Sequence, residues 1–140
     1  MTGRATPIPQ LLLMTLLVLS SGPAYGAWVS LGGDEKVGLT IYVDPATMSR
    51  NGDQVTMWIL YDFNTVQTKE AGDSFLSAKV QREYDCAKER TRLLAIKNYA
   101  DKMGNGQEVS NRNFGQPEWA PVGPLEAGTI AKDLWTLACR

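Results

Sequence analysis

The sequence predicts an α+β domain: an antiparallel β-sheet of about six strands with one C-terminal α-helix packed on it and a single disulfide. Three observations predict it. Segments rich in β-branched and aromatic residues recur along the chain, separated by Gly-Gly, Asp-Pro, Asn-Gly and Gly-Asn-Gly signals at the spacing of a strand meander. The apolar period becomes helical only near the C-terminus, where Ile130, Leu134, Leu137 and Ala138 recur behind Thr129. The chain has 2 cysteines, Cys86 and Cys139, 53 positions apart, one in a turn and one in the last helical turn.

Taken in order, the first element is a leader. Arg4 precedes an uncharged apolar run of 9 residues, Leu11–Leu19, and then Ser20-Ser21-Gly22-Pro23, the charge, core and small-residue order of a secretory signal peptide. The run is well short of the roughly 18 to 20 residues that cross a bilayer as a helix. Ala24 and Gly26 place cleavage before Ala27, with cleavage after Ala27 as the alternative. The expected boundaries are therefore 1–26 for the signal peptide and 27–140 for a mature domain of 114 residues. No cysteine precedes Cys86, so a soluble, periplasmic or secreted protein is expected, with no lipid or membrane anchor after cleavage.

In the mature chain Trp28–Leu31 is a short apolar stretch ended by Gly32-Gly33, and Val37–Val43 reads as a strand stopped by Asp44-Pro45. Gln54–Phe63 is the clearest strand, entered through the Asn51-Gly52-Asp53 turn. Val55, Met57, Ile59 and Tyr61 fall on one face and Trp58 and Leu60 on the other, which places it centrally with both sides covered. The outer cover is open between a helix, a long loop and a second subunit. Phe75–Tyr84 alternates with period two. Arg90–Tyr99 is read as a strand although its Leu93-Leu94-Ala95-Ile96 core also suits a helix. Met103–Gly106 is a turn, Glu108–Phe114 an edge strand, and Pro117 and Pro121 are expected to keep Gln116–Gly123 irregular.

Two cysteines in an exported chain read as one disulfide, and their separation excludes a redox CxxC or a zinc-ligand pair. Closing so long a loop removes denatured-state freedom worth roughly 4 kcal/mol in the chain-entropy model.

The absence of any histidine excludes Ser-His-Asp and Cys-His catalysis and imidazole metal sites. Asp44, Asp53 and Asp62 lie near strand ends, where capping turns is the usual work of aspartate. No phosphate-cradling glycine motif or calcium loop appears, so neither cofactor nor metal is expected. The four tryptophans, Trp28, Trp58, Trp119 and Trp135, could form a sugar-stacking platform, but their spread along the chain favours packing roles; Trp119, between two prolines, is the candidate for exposure.

Without Arg4 the chain carries 13 basic and 15 acidic residues, too near neutrality for bulk nucleic-acid binding. Its charges are nevertheless uneven: Lys79 to Arg112 holds 8 basic residues against 5 acidic ones. Such a run is usually a solvated face; alternatively it meets an anionic partner, and then Arg82, Lys88, Arg90 and Arg92 near the Cys86 turn are the expected contacts.

Four blocks also carry a resemblance. Tyr42 to Trp58 (YVDPATMSRNGDQVTMW), Tyr84-Asp85-Cys86, Trp119-Ala120-Pro121-Val122 and Leu134-Trp135 through Cys139 resemble, in that order, the bacterial surface-adhesin protein E family over essentially the whole mature chain. The resemblance implies an antiparallel sheet of about six strands with a C-terminal helix tied on by a disulfide, matched by Cys86 and Cys139. It also implies binding to host matrix or serum proteins, with a homodimer within reach. The expected function is thus an exported, non-enzymatic interaction module with a protein partner; the alternative is a periplasmic accessory or structural protein acting through sheet-edge or dimer contacts.

Overall fold

The computed structural model describes residues 27–69 and 72–140; the expected signal peptide lies outside the described residues. Eight strands follow one another as β1 (Val29–Asp34), β2 (Leu39–Val43), β3 (Ser49–Asn51), β4 (Gln54–Thr68), β5 (Ser74–Asp85), β6 (Arg90–Tyr99), β7 (Glu108–Asn113) and β8 (Ala120–Pro121), and the chain closes on helix α1 (Ile130–Cys139). All pairings are antiparallel, in the order β1-β2-β4-β5-β6-β7, with β3 added to β4 and β8 to β6.

The sheet therefore has eight strands where about six were expected. The two extra ones, β3 and β8, are 3 and 2 residues long, too short to leave an alternating pattern in the sequence. In β8, Pro121 pairs with Arg90 inside the segment expected to be irregular. Proline is tolerated at a sheet edge, where a ladder needs a donor only at alternate residues. The next N–H, from Val122, reaches the Glu89 carbonyl at 3.1 Å. The Leu93–Ile96 run is a strand, and its helix-like look has a physical cause. Between Gln81↔Ala95 and Arg82↔Leu93 the register shifts, leaving Leu94 as an extra residue that breaks the two-residue period.

The sheet's alternation sorts the side chains onto two faces. Val55, Met57 and Ile59 of β4 are buried beneath α1 together with Ile41, Val43, Tyr84, Leu134 and Ala138. Thr129 caps the helix by accepting the Lys132 N–H, as its position predicted. At the other end the Arg50 guanidinium of β3 donates to the Ala138 carbonyl at 2.6 Å, satisfying one of the acceptors a helix terminus leaves free. Beside it Cys139 is bonded to Cys86, with Cα atoms 5.4 Å apart. Trp135 meets Tyr84 edge to face at 5.9 Å.

The opposite face is covered by a loop, not by a helix. The Met103 N–H donates to Asp62 at 2.7 Å, the Gly104 N–H to Ser77 Oγ at 2.8 Å, and Ser77 Oγ to the Asp101 carbonyl at 2.6 Å. Lys102 adds an ion pair to Asp62 at 3.1 Å. Met103 and Gly104 both adopt positive φ, 61° and 70°, to make the bend. Leu60, Ser77 and Asp62 are buried on this side.

Past Asp62 the β4–β5 register shifts, and Gln67↔Phe75 and Thr68↔Ser74 form a ribbon with no third strand beside it among the described residues. Phe63 and Phe75 brace its base edge to face at 6.1 Å, while Val66 is exposed.

Replacing both cysteines by serine should lower the unfolding free energy by about 2–4 kcal/mol. The readout is the urea midpoint, and reduction of the unsubstituted protein should give the same shift.

Candidate binding surface

The four-residue connection between Asp85 and Arg90 brings β5 and β6 together and is shaped by one carboxylate. Asp85 accepts the Lys88 N–H at 3.2 Å and the Arg90 Nε at 2.9 Å, and Glu89 takes a positive φ of 51° to close the turn. Burial pushes the Asp85 carboxyl up, but the Arg90 guanidinium and the Lys88 and Ala87 N–H groups outweigh it and hold the group below the ordinary value of 3.8. Two rungs on, Glu83 is paired across the ladder with Arg92 at 2.8 Å, and Arg92 also donates to the Pro117 carbonyl at 3.2 Å.

Trp119 lies against both guanidiniums, 4.5 Å from Arg90 and 4.0 Å from Arg92, centroid to Cζ. The flat cations cover an aromatic face and are attracted by its quadrupole. Trp119, the candidate for exposure, is therefore half-buried, and this stack rather than the prolines alone holds its loop on the sheet.

Of the four basic residues picked from the sequence, the structure gathers three. Arg90 and Arg92 share Trp119 on the helix-free face, and Lys88 is exposed in the adjoining turn. Arg82 points the other way. It stands opposite Met57 on the helix side and lines a groove of about 300 Å³ with Tyr84, Thr91, Val122, Ile130 and Leu134. Burial of Tyr84 in that wall pushes its phenol up to about 12. Asp44 and Asp62 are engaged structurally: Asp44 accepts the Ala46 N–H at 3.0 Å, and Asp62 holds the Met103 loop. Sequence reasoning missed the partners of the arginines. A Glu83-to-Arg92 and Asp85-to-Arg90 pairing is predictable once the hairpin register is known, because residues at equal distance from a turn lie opposite each other.

The fold defines the class: a small antiparallel sheet with one face strapped by a disulfide-bonded helix. The family model described as surface-adhesin protein E matches residues 28–140, and the chain belongs to that family. Among solved structures it is similar to the selenomethionine form of Haemophilus influenzae protein E, with 12% identity, TM-score 0.54, 82% of this chain and 88% of that one covered. Protein E from non-typeable Haemophilus influenzae gives 12% identity and TM-score 0.53 over 81% and 77% of the two chains. A second crystal form of Haemophilus influenzae protein E gives 11% and 0.56 over 84% and 91%. At these identities the likeness is one of fold. No match was found among curated proteins.

The depressed Asp85 carboxyl sets an acid limb. A group whose pKa is lower in the folded state contributes stability above its unfolded value and loses it as the pH falls through the folded one. In Asp85→Asn that contribution is missing, so the stability gap between the two proteins should be constant above about pH 4 and close at lower pH. Urea unfolding across that range reads it.

Proposed function

We propose that this protein is an exported, non-enzymatic adhesin-like module that binds an acidic protein surface through the end of the sheet carrying the Cys86 turn. Arg82, Lys88, Arg90 and Arg92 make the contact from two sides of that end. Family membership supports the adhesin class, and host matrix or serum proteins are the partners to try first. One observation supports the location: an exposed lysine beside two arginines stacked on a tryptophan, arginine and tryptophan being residue types that dominate interface energetics. The arginines are already held by Glu83, Asp85 and Trp119, so little side-chain entropy is left to lose on binding.

Export rests on the Arg4 and Leu11–Leu19 leader. No helix among the described residues is long and apolar enough to cross a membrane. Protease sensitivity on intact cells tests display at the surface; protection there, with sensitivity after outer-membrane permeabilisation, would place the protein in the periplasm and favour an accessory role.

The contact is tested with Lys88→Glu, because the Lys88 side chain is exposed, and with Lys36→Glu in the distant β1–β2 turn as control. On immobilised matrix and serum proteins, Lys88→Glu should weaken binding several-fold and flatten its salt dependence, while Lys36→Glu should not. Equal retention of both variants would reject this surface.

A further inference from the structure

The helix-free face carries a second cationic, aromatic feature away from the Cys86 turn. Trp28, Thr47, Trp58, Lys79, Lys97 and Tyr99 line a cleft of about 250 Å³. Two tryptophans separated by 30 positions in sequence line it together: Trp28 directly precedes β1, and Trp58 lies on β4 of the same sheet.

Its charge arrangement runs against sheet stability. Lys79 and Lys97 stand directly opposite each other on β5 and β6, and like charges in that position repel. Along the same two strands, on the same face, Glu83 faces Arg92 and Asp85 faces Arg90, each pair at hydrogen-bond distance. The ladder is complementary at one end and uncompensated at the other. Among the described residues neither lysine has a carboxylate partner within ion-pair distance. The two ammonium groups rest instead on rings, Lys79 4.9 Å from the Tyr99 centroid and Lys97 5.2 Å from that of Trp58. Glu108, which pairs with Tyr99 across β6 and β7, is exposed and outside the lining.

The cleft is also braced. Gly104 of the covering loop lies so close that a Cβ there would stand 2.5 Å from Lys79 Cε, so the loop walls this lysine in. A local rule broken in this way is expected at functional or strained sites.

We propose that this cleft binds an acidic sugar residue, a pyranose bearing a carboxylate or a sulfate within an oligosaccharide. The two ammonium groups take the anionic substituent, and the rings they vacate meet the sugar's C–H face with their negative π-surfaces. The volume lies below the usual range of about 300–1,000 Å³ for larger ligands, which suits a single ring. The site is on a sheet face rather than at an edge, so it offers no free ladder to an extended acidic peptide. It shares no residue with the protein contact proposed above and stands or falls separately.

The test uses the purified protein with a hyaluronan tetrasaccharide, a heparin tetrasaccharide, neutral chitotetraose and tetraglutamate, followed by tryptophan fluorescence and by NMR of the indole N–H groups. Saturable, salt-sensitive binding of either acidic tetrasaccharide is expected; response to hyaluronan assigns the carboxylate, and response to heparin alone the sulfate. Lys97→Gln should weaken binding by at least about tenfold, the loss of one charged hydrogen bond. Lys97→Glu should abolish it while raising the thermal midpoint, because an opposite-charge pair replaces a repulsive one. Absence of binding to both acidic sugars, equal binding of chitotetraose or tetraglutamate, or lower midpoints in both Lys97 variants would overturn the proposal.

Discussion

One end of α1 is held at three points that lie far apart in sequence: the Cys86–Cys139 bond, the Arg50 guanidinium on the Ala138 carbonyl, and Leu134 with Ala138 against Met57 and Tyr84. A 10-residue helix is too short to persist in water by propensity alone, so its existence is a tertiary fact. The helix in turn covers Val55, Met57 and Ile59, the most deeply buried stretch of the longest strand. Much else follows from that clamp. Strand β3 delivers Arg50, and the β5–β6 turn presents Cys86. The turn's own shape is set by Asp85, whose carboxylate also positions the exposed Lys88.

With one face sealed in this way, the opposite face carries the polar chemistry. It is only partly covered, by the Asp101–Gly106 loop over Leu60, Asp62 and Ser77. The rest of it presents aromatic rings under cations. Near the Cys86 turn those cations have carboxylate partners and hold a loop; further along they have none. The same two strands thus carry basic residues with and without a carboxylate opposite them, side by side on one face.

Much of the fold was legible because it depends on local pattern. The alternation in β4, the Asn51-Gly52 hairpin and the Thr129 cap each name their own structure from adjacent residues, and all three are present. Export context and cysteine count were enough to anticipate the disulfide. Less visible were features set by partners distant in sequence. The bulge at Leu94 disguised β6, the two-residue β8 exists only because Arg90 and Thr91 lie beside it, and the outer cover of β4 came from a loop 41 residues downstream of Asp62. The candidate surface was half legible for the same reason. Composition flagged the basic run, but it could not place Arg82 on the helix side or Arg90 and Arg92 beneath Trp119. Nor could it bring Trp28 to Trp58.

The ribbon formed by the far ends of β4 and β5 is held by its own pairing, by the Phe63–Phe75 contact and, at its base, by Lys102 on Phe63 and Asn64. Loop-closure entropy grows slowly with length, so the span between Thr68 and Ser74 can be lengthened or shortened at small thermodynamic cost. An affinity tag or fluorophore grafted at that tip would therefore report on the molecule from a point remote from the helix clamp and from the Cys86 turn.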